Sequence, residues 1–386
     1  MLSGGAQPLP SLLRARGHRR GGRDLKRAIV VVLDGCGAGA TPDAADFGDA
    51  HGPATLRHVS EAVGGLDCPN LAALGFLASA GYPPSATAHF GRLRPLSMGK
   101  DSVTGHWEMM GAVVTEAFPT YPNGFPPEIL EAFAREVGVD VLGNKPASGT
   151  AIIAELGEEH MRTGHPILYT SADSVLQIAA HEDIIPIGRL YDMCLTAREI
   201  CVAPHNVQRV IARPFIGEPG NFQRTTQRKD YPLPPPSNLV DVIEDVRGIG
   251  VVPELFAGRG FKVTPRTQSN AEHEVALLEA MAAEDARFIF ANFEDFDMLY
   301  GHRSNPDGFA ECLEAFDHTL ARVQAALLPE DLLILTADHG NDPTDASTDH
   351  TREYVPLAVI GLPPQARGDE DGLSVVGDLV RAHLGV

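Results

Sequence analysis

The sequence predicts an α/β fold: a mostly parallel sheet core sandwiched by helices, with a smaller α/β cap domain inserted into it. Continuous aliphatic runs of strand length recur along the chain, and stretches of helical apolar periodicity follow them. Such alternation is typical of a parallel sheet that is covered on both faces. Between residues 120 and 237 the pattern changes to short segments separated by proline and glycine. That change of texture indicates an inserted domain.

Composition narrows the classes of function. The 386 residues carry a formal net charge of −20, which disfavours binding to nucleic acid or to an anionic membrane, so a small anionic substrate would need locally placed cations. No apolar run approaches the ~20 residues of a membrane span. The five cysteines lack the paired spacing of metal ligands, and their odd number argues against a framework of disulfide bonds. We therefore predict a cytoplasmic protein, and no protein partner is indicated.

Domain boundaries follow from the same changes in texture. Residues 1–26 are rich in Arg and Gly and predict a disordered tail or an over-long start, with a targeting segment as the alternative. Residues 27–119 and 238–386 predict a discontinuous core. Residues 120–237 predict the inserted cap, which ends in a proline-rich linker.

The core is predicted to begin at Arg27, where an apolar run reaches Leu33 and stops at Asp34. A strand buried on both faces reads as continuous aliphatics, and functional groups of open α/β sheets gather just beyond the carboxyl ends of such strands. Asp34 is therefore a candidate functional carboxylate. The glycines that follow allow close approach to a ligand but lack the full dinucleotide fingerprint, so they predict no nucleotide site.

The segment Gly99–Glu108 contains the single tryptophan and opens with a cluster of Asp, Ser and Thr. Such a cluster predicts a helix start, where free backbone N–H groups and the helix dipole favour an anion such as a phosphate. A hydroxyl at this point, from Ser102 or Thr104, is either a cap or a nucleophile. The residues alone favour the cap.

Strands and helices are predicted along the rest of the chain from apolar runs and stripes. The predicted strands comprise residues 167–169, 210–212, 248–252, 288–293, 332–337 and 355–360. The predicted helical stripes comprise Leu190, Met193, Leu195 and Ile200; Val275, Leu278 and Met281; Phe309, Leu313, Phe316, Leu320, Val323 and Leu327; and Val376, Leu379 and Val380.

Two of the later strands, like the first, lead into metal-binding residue types. Carboxylate oxygen and imidazole nitrogen together suit Zn²⁺ or Mn²⁺, whereas all-oxygen sets suit Mg²⁺ or Ca²⁺. Any single Asp-His pair could instead cap the next helix. Three carboxylates and three imidazoles suffice for two ions, which in phosphoryl transfer lie about 3.5 to 4 Å apart. The six candidate ligands are Asp34, Asp297, His302, Asp338, His339 and His350.

The order of these motifs resembles that of the alkaline phosphatase superfamily. The intervening sequence more particularly resembles the phosphopentomutases, and the likeness covers nearly everything after Arg27. The motifs that carry it are Pro42–Ala44, Gly99–Asp101, Gly105–Glu108, Gly143–Thr150, Thr170–Gln177, Ala212–Phe215, Gly220–Phe222 and Asp349–Pro356. The resemblance implies an alkaline phosphatase-like fold, which agrees with the fold class predicted from the strands and helices.

The resemblance also implies an activity. Similar enzymes interconvert ribose 1-phosphate or deoxyribose 1-phosphate with the corresponding 5-phosphate. They bind two Mn²⁺ ions and carry a phosphorylated hydroxyl residue that exchanges phosphate with a pentose bisphosphate, so a sugar bisphosphate is expected as an activator. Small-molecule pentose phosphates are thus the expected partners of this chain.

Residue roles follow from the resemblance, position by position. Asp297, His302 and His350 would hold one metal, and Asp34, Asp338 and His339 the other. Ser102 matches the phosphorylated position, which is usually Thr, and Thr104 is the rival nucleophile. Arginine suits a phosphate clamp because its planar fork bonds phosphate oxygens bidentately. The implied substrate-binding residues are Ser171, Asp173, Val175, Arg213 and Arg228.

The chain departs from the family pattern at positions that bear on phosphate binding. Val251 stands where the family commonly has a phosphate-binding lysine, and Lys262 or Arg259 are the candidates to replace that cation. Ala151 and Gln227 replace an acidic residue and an asparagine. These departures concern the strength of the clamp and leave the metal ligands unchanged.

Two other functions remain open at this stage. One is another metal-dependent phosphomutase or phosphatase of the same superfamily, such as one similar to phosphoglycerate mutase. The other is a non-catalytic metal-binding homologue that keeps the fold, which the presence of all six ligand candidates and a hydroxyl disfavours.

Overall fold

The computed structural model describes residues 26–171 and 173–386. The predicted tail therefore lies outside the described residues, except for Lys26. The strands are β1 (Arg27–Leu33), β2 (His89–Arg94), β3 (Leu142–Pro146), β4 (Ile167–Thr170), β5 (Val175–His181), β6 (Arg209–Glu218), β7 (Asn221–Arg224), β8 (Lys229–Pro232), β9 (Val246–Ile249), β10 (Phe261–Val263), β11 (Phe288–Phe293), β12 (Asp331–Thr336), β13 (Val355–Ile360) and β14 (Gln365–Asp371).

Helices alternate with these strands through most of the chain. The α-helices are α1 (Thr55–Val63), α2 (Pro69–Leu74), α3 (Ser102–Met109), α4 (Pro127–Val137), α5 (Gly149–Thr163), α6 (Ile187–Ile200), α7 (Val252–Leu255), α8 (Asn270–Ala282), α9 (Pro306–Ala326) and α10 (Val375–Leu384). Short 3₁₀ turns lie at Ala44–Phe47, Ala78–Ala80, Leu239–Asp241 and Gly301–Arg303, and a π-helical turn lies at Phe296–Tyr300.

The larger sheet has eight strands in the order β10-β9-β11-β1-β12-β13-β2-β14. Neighbouring strands are parallel except where β13 meets β12 and β2. Its centre, β1, is buried along its whole length, because helices cover both faces and exclude water from the aliphatic side chains. The predicted mostly parallel α/β core is confirmed.

The smaller sheet has five strands in the order β3-β4-β5-β6-β7, and β8 pairs with β6 as a sixth strand. All six strands lie between residues 142 and 232. Two pairings are parallel, β3 with β4 and β5 with β6, and the rest are antiparallel. Separate apolar clusters surround this sheet, one including Phe133, Leu176 and Leu190 and another including Ile153 and Phe215.

Three adjacent parallel strands position the candidate ligands. In the register of the larger sheet Leu33 lies beside Phe293, and Val32 lies beside Thr336. The carboxyl ends of β11, β1 and β12 therefore meet at one edge, as expected for an open α/β sheet. The loops after these three strands carry the candidate metal ligands.

The predicted strand at residues 248–252 is wrong at its carboxyl end. Strand β9 stops at Ile249 because Gly250 adopts φ +68, a conformation that disfavours side chains other than glycine. A Cβ at Gly250 would also lie 2.4 Å from the carbonyl oxygen of Asn292. Val252 then begins α7, with Pro253 in its first turn, so the apolar residues continue across a turn and into a helix.

The amphipathic stripes were predicted with mixed success. On α9 the predicted stripe from Phe309 to Val323 is buried. On α8 the predicted Val275 is 57% exposed, and the buried face instead includes His273, Ala276 and Leu277. Leu195 on α6 is also exposed, at 49%. The error arose because alanine and histidine supply part of the buried faces, which shifts the stripe away from the larger aliphatic residues.

Candidate metal centre and active site

Asp34, Asp338 and His339 converge just beyond the ends of β1 and β12. The Nε2 atom of His339 lies 3.4 Å from Asp34 Oδ1 and 3.4 Å from Asp338 Oδ2. All three side chains are buried, and their ligand atoms lie within 4.8 Å of one another. Two carboxylate oxygens and one imidazole nitrogen are a donor set that suits a divalent ion.

A second cluster forms around Asp297, which lies in the π-helical turn after β11. Its Oδ2 is 3.1 Å from His302 Nε2, and its Oδ1 is 3.4 Å from His350 Nε2. The two Nε2 atoms are themselves 3.1 Å apart. His339 is close to this cluster as well, since its ring centroid is 3.9 Å from that of His350. Asp297, His339 and His350 therefore also form a compact ligand group.

Hydrogen bonds to backbone carbonyls orient the imidazoles. The Nδ1 of His302 donates to Thr348 O at 2.6 Å, and the Nδ1 of His339 donates to Gly340 O at 3.1 Å. A carbonyl oxygen only accepts, so in the neutral ring the proton is on Nδ1 and the Nε2 lone pair is available to a metal. The partition of the six residues into two ion sites stays a prediction.

Two asparagines that the sequence analysis missed orient the carboxylates. Asn292 Nδ2 donates to Asp34 Oδ2 at 2.6 Å, and Asn341 Nδ2 donates to Asp297 Oδ1 at 2.6 Å. Both asparagines are fully buried. Because each amide satisfies one oxygen, the other carboxylate oxygen can face the neighbouring ligands. An asparagine inside the aliphatic strand β11 was the available signal.

The pKa shifts of the candidate ligands indicate that the centre favours a bound cation. Burial raises the pKa of Asp34 well above its usual value, and the charges of Asp338 and Asp297 raise it further. Burial also favours the proton on Asp297, but hydrogen bonds from His302 and His350 outweigh it, and the Asp297 pKa lies well below its usual range. The bond to Asp297 raises the pKa of His302 to about 9. A metal ion would supply the positive charge that protons supply here.

Buried polar atoms give an independent test of whether an ion fits. Within the described residues, Asp34 Oδ1 and Asp338 Oδ2 are buried and have no hydrogen-bond partner. An unpaired buried carboxylate oxygen costs free energy unless a cation or donor compensates it. Both atoms face His339 Nε2, so the residues fit a bound divalent metal.

The hydroxyl of Ser102 lies beside the first ligand set. Ser102 is the first residue of α3, and its Oγ is 3.1 Å from His339 Nε2. Thr104 is buried, and its Oγ1 donates to Asp101 O at 3.0 Å and accepts from Asp101 N at 3.4 Å. Asp101 and Thr104 thus form the capping box of α3, while the Ser102 hydroxyl is directed toward the ligands.

His106 lies one turn along α3 and stabilises the first turn of this helix. It is fully buried, and its Nδ1 donates to Ser102 O at 2.8 Å. Burial lowers the pKa of His106, which favours the neutral ring. The neutral ring packs against Phe290 of β11 and so fixes the first turn of α3 on the sheet.

Glu353 joins the loop after β1 to the loop that carries His350. Its carboxylate accepts from Thr55 Oγ1 at 2.6 Å, from Thr351 Oγ1 at 2.7 Å and from Gly39 N at 2.9 Å. The residue is fully buried, and burial raises its pKa. Three elements distant in sequence are held by one side chain, which sequence reasoning did not single out.

Arg213, in β6, and Arg228, directly before β8, lie together on the wall of a cavity of 620 Å³. Arg213 Nε donates to Gln177 Oε1 at 3.0 Å, and Arg228 pairs with Asp230 at 2.6 Å. The hydrogen bond to Asp230 raises the pKa of Arg228. Burial lowers the pKa of Arg213, and the charge of Arg228 lowers it further.

The two cations that the sequence offered in place of the missing lysine lie elsewhere. Lys262 pairs with Asp245, and Arg259 pairs with Asp241 at 2.7 Å and donates to the carbonyls of Pro235 and Pro236. Each is thus committed to a salt bridge away from the cavity of Arg213 and Arg228, whose walls do not include them.

Ser171, Asp173 and Val175 lie at the turn between β4 and β5. Val175 begins β5 and is buried, whereas Asp173 is exposed. Among the described residues, no side-chain hydrogen bond joins these three to the metal ligands or to the arginines. Their role in binding the sugar stays a prediction.

The fold and the centre together define a class: an α/β metalloenzyme whose ligands gather at the ends of parallel strands. The model of the Metalloenzyme superfamily matches residues 253–385. The chain is 51% identical over 345 residues to a phosphopentomutase of Dictyoglomus thermophilum, covering 87% of this chain and 88% of that protein. It is 50% identical over 375 residues to one of Anaeromyxobacter dehalogenans, covering 94% and 96%. The chain belongs to the phosphopentomutase family, whose members are isomerases.

Solved structures of other proteins are more distant. PH0037 protein from Pyrococcus horikoshii shows a TM-score of 0.48 at 15% identity, covering 93% of this chain and 97% of that chain. Phosphoglycerate mutase of Leishmania mexicana shows a TM-score of 0.46 at 15% identity, covering 94% and 96%. Of the helices that the structure describes, none has the length and apolar character to span a bilayer.

Proposed function

We propose that this protein interconverts ribose 1-phosphate or deoxyribose 1-phosphate with the corresponding 5-phosphate, through a phosphorylated Ser102 and a pentose bisphosphate. The observation that carries the proposal is the 3.1 Å separation of Ser102 Oγ from His339 Nε2 at the first turn of α3. A hydroxyl between a helix N-terminus and a set of metal ligands is suited to receive a phosphoryl group. The cytoplasm is the proposed location.

Thr104 is less suited to this role, because its hydroxyl is already bonded to the backbone of Asp101 on both its donor and acceptor sides. Ser102 Oγ has the imidazole of His339 as its partner. Because Nε2 is the atom that would bind the ion, the Ser102 hydroxyl lies next to the proposed metal position, where an ion would activate it.

We propose that Asp34, Asp338 and His339 hold one Mn²⁺ and that Asp297, His302 and His350 hold the other. Such ions, when bound, lower the pKa of a coordinated hydroxyl and neutralise charge on a transferring phosphoryl group. Mixed oxygen and nitrogen donors support Mn²⁺ over an all-oxygen metal such as Mg²⁺.

The chemistry requires two half-reactions. Phosphorylated Ser102 gives its phosphoryl group to the free hydroxyl of a pentose monophosphate, which becomes a bisphosphate and leaves the serine hydroxyl free. The bisphosphate then reorients and returns its other phosphoryl group to Ser102. A sugar bisphosphate added from solution would therefore activate unphosphorylated protein, and water must be excluded so that phosphate is not lost.

A cap formed by residues 120–237 would provide that exclusion. Arg213 in β6 and Arg228 directly before β8 line one cavity and are proposed to hold the phosphate that is not being transferred. Ser171, Asp173 and Val175 are proposed to face the sugar. Contact between the regions exists at Gln208, whose Nε2 donates to Asp101 Oδ1 at 3.0 Å beside Ser102.

The experiment is a side-by-side assay with Mn²⁺, a sugar bisphosphate and one of three substrates: ribose 5-phosphate, deoxyribose 5-phosphate or phosphoglycerate. We expect the pentose 1-phosphates as products and phosphate on Ser102 by mass spectrometry. Ser102→Ala should be inactive, and Ser269→Ala, which removes the cap hydroxyl of α8, should remain active. Turnover of phosphoglycerate alone, free phosphate as the main product, or label on Thr104 would each contradict the proposal.

A further inference from the structure

A third arginine lines the cavity that contains Arg213 and Arg228. The cavity of 620 Å³ is formed by Arg213, Pro214, Arg224, Thr225 and Arg228. Arg224 is the last residue of β7, which pairs with β6 so that Arg224 lies beside Phe215. Neither the sequence motifs nor the proposed mechanism gives Arg224 a role.

The balance of charge in this cavity is unusual for so acidic a chain. Asp230 is the carboxylate that contacts these arginines, and it is bonded to Nε and Nη2 of Arg228. Within the part of the chain that the structure describes, Arg224 makes no side-chain hydrogen bond or ion pair. Guanidinium groups that face one cavity repel each other unless an anion lies between them. The chain has a net charge of −20, yet this cavity is positive.

A buried hydroxyl lies next to Arg224. Tyr169 on β4 is 0% exposed, and its hydroxyl has no hydrogen-bond partner among the described residues. Burial raises the pKa of Tyr169, and the charges of Arg213, Arg224 and Arg228 oppose that rise. The hydroxyl is therefore a donor at neutral pH, and a buried donor without an acceptor is costly unless a ligand accepts from it.

Both groups lie at the start of a long helix. A Cβ on Gly149, the first residue of α5, would lie 2.7 Å from the Tyr169 hydroxyl and 3.6 Å from Arg224 Nη1. The absence of a side chain at Gly149 therefore leaves room between them. Helix α5 has 15 residues, and its N-terminal N–H groups and dipole favour an anion at this place.

We propose that Arg224, the Tyr169 hydroxyl and the N-terminus of α5 bind the phosphate monoester of the substrate that is not being transferred. Arg213 and Arg228, which line the same cavity, bind the same group. This inference rests on the proposed function, since it assigns further residues to the substrate of that reaction. A phosphate dianion fits because it offers several acceptor oxygens and a double negative charge to several donors at once.

The direction of the effect follows from the chemistry of a mutase. Whichever pentose phosphate binds, its own phosphate occupies the distal position while its free hydroxyl faces Ser102. Loss of Arg224 should therefore raise KM for the 1-phosphate and the 5-phosphate by the same factor and change kcat little. One lost charge-assisted hydrogen bond corresponds to roughly a tenfold rise.

The test uses the full-length protein with Mn²⁺ and compares Arg224→Ala with Arg162→Ala. Arg162 lies at the opposite end of α5, exposed and paired with Glu159, so its loss changes the net charge equally without touching the cavity. Binding is measured by titrating ribose 5-phosphate into the Ser102→Ala background, which separates affinity from turnover. We expect about a tenfold higher Kd for Arg224→Ala, a partial recovery for Arg224→Lys and no change for Arg162→Ala.

Tyr169→Phe provides a second measurement that distinguishes binding from structure. Because the buried hydroxyl has no partner in the protein, its removal should leave Tm unchanged or raise it. If it binds phosphate, the Kd for ribose 5-phosphate should nevertheless rise several-fold. An unchanged Kd in both Arg224→Ala and Tyr169→Phe would overturn the inference while leaving the proposed function intact. If wild-type protein fails to interconvert pentose phosphates, it is the proposed function that is wrong.

Discussion

The metal centre and the arginine cavity hold their charged side chains in opposite ways. At the metal centre the ligands are short side chains placed by adjacent strand ends, and buried amides such as Asn292 and Asn341 fix individual carboxylate oxygens. In the cavity, long arginines project from β6, β7 and the approach to β8, and Arg224 and Arg228 are exposed. The ligands of the centre are thus held by hydrogen bonds within the protein, whereas the exposed arginines of the cavity offer their donors to solvent or to an anion.

Because most of the metal ligands are buried and Arg224 and Arg228 are exposed, the two groups of residues differ in what they cost without a ligand. A buried ligand set is costly without its ion, because its carboxylates are desolvated and repel one another. An exposed arginine is well hydrated without a ligand and costs little. Mutations at the centre should therefore affect metal binding and all turnover, and mutations in the cavity should affect substrate affinity.

The largest effect is expected for Asp338→Asn. Asp338 is buried, and its Oδ2 faces His339 Nε2 at 3.4 Å, so the amide removes a charged ligand from the centre. We expect turnover to fall by more than about a hundredfold, beyond the loss typical of residues that only orient a ligand. Metal analysis and activity are measured together. Asp345→Asn, in the same loop but paired with His51, is the control; normal metal content in Asp338→Asn would contradict the assignment of Asp338 as a metal ligand.

His350→Ala tests whether the centre consists of two separable sites. The substitution leaves Asp34, Asp338 and His339 in place but removes a nitrogen 3.4 Å from Asp297 Oδ1. We expect the protein to lose about one of two ions and most of its activity. The number of ions per chain is measured by mass spectrometry under native conditions. Loss of both ions would show that the clusters form one site, and retention of both would show that His350 is not a required ligand; either outcome would contradict the division.

The sequence identified the centre better than the cavity, and the reason is geometric. Asp34, Asp338 and His339 follow aliphatic strands, and neighbouring parallel strands must end at one edge, so their meeting could be predicted. The helix start at α3 was also predicted. Only the side-chain positions show that the Thr104 hydroxyl belongs to the capping box, while the Ser102 hydroxyl is directed toward the ligands. The partners Asn292 and Glu353 were missed because contacts between residues distant in sequence leave no periodic pattern.

The cavity was predicted only in part because its members come from three strands whose pairing the sequence does not state. Arg213 and Arg228 were named through resemblance to a family. Arg224 and Tyr169 became visible only when β7 was paired with β6 and β4 with β5. Val275 was predicted to be buried and is exposed for a related reason: tertiary packing decides which of several apolar faces of a helix is buried.

A pH titration of metal binding is expected to show an intermediate effect. Without metal the hydrogen bond to Asp297 raises the pKa of His302 to about 9, so below that pH the ring carries a proton that an entering ion must displace. Affinity should therefore fall as pH decreases through 9, by up to about tenfold per unit. Calorimetry in buffers of different ionisation enthalpy measures the released protons. In His302→Ala the dependence should be shallower, and an unchanged slope would contradict this assignment.

The smallest effect is expected at the contact between the proposed cap, residues 120–237, and the first turn of α3 in the core. Gln208 precedes β6 and is 8% exposed, and its Nε2 donates to Asp101 Oδ1, which also accepts from Val103 N at 2.9 Å and Thr104 N at 3.2 Å. Gln208→Leu keeps the size of the side chain but removes the bond, which contributes about 1 kcal/mol, or roughly fivefold.

If this bond holds the cap against the first turn of α3, Gln208→Leu should release a several-fold larger share of phosphate to water relative to mutase turnover. Thr196→Val is the matched control, because it also removes one side-chain hydrogen bond within residues 120–237, from Thr196 Oγ1 to Asp192 O on α6. Free phosphate and pentose 1-phosphate are measured in the same reaction. A lower Tm with an unchanged ratio of the two products would mean that Gln208 stabilises the fold and has no part in excluding water from the phosphorylated Ser102.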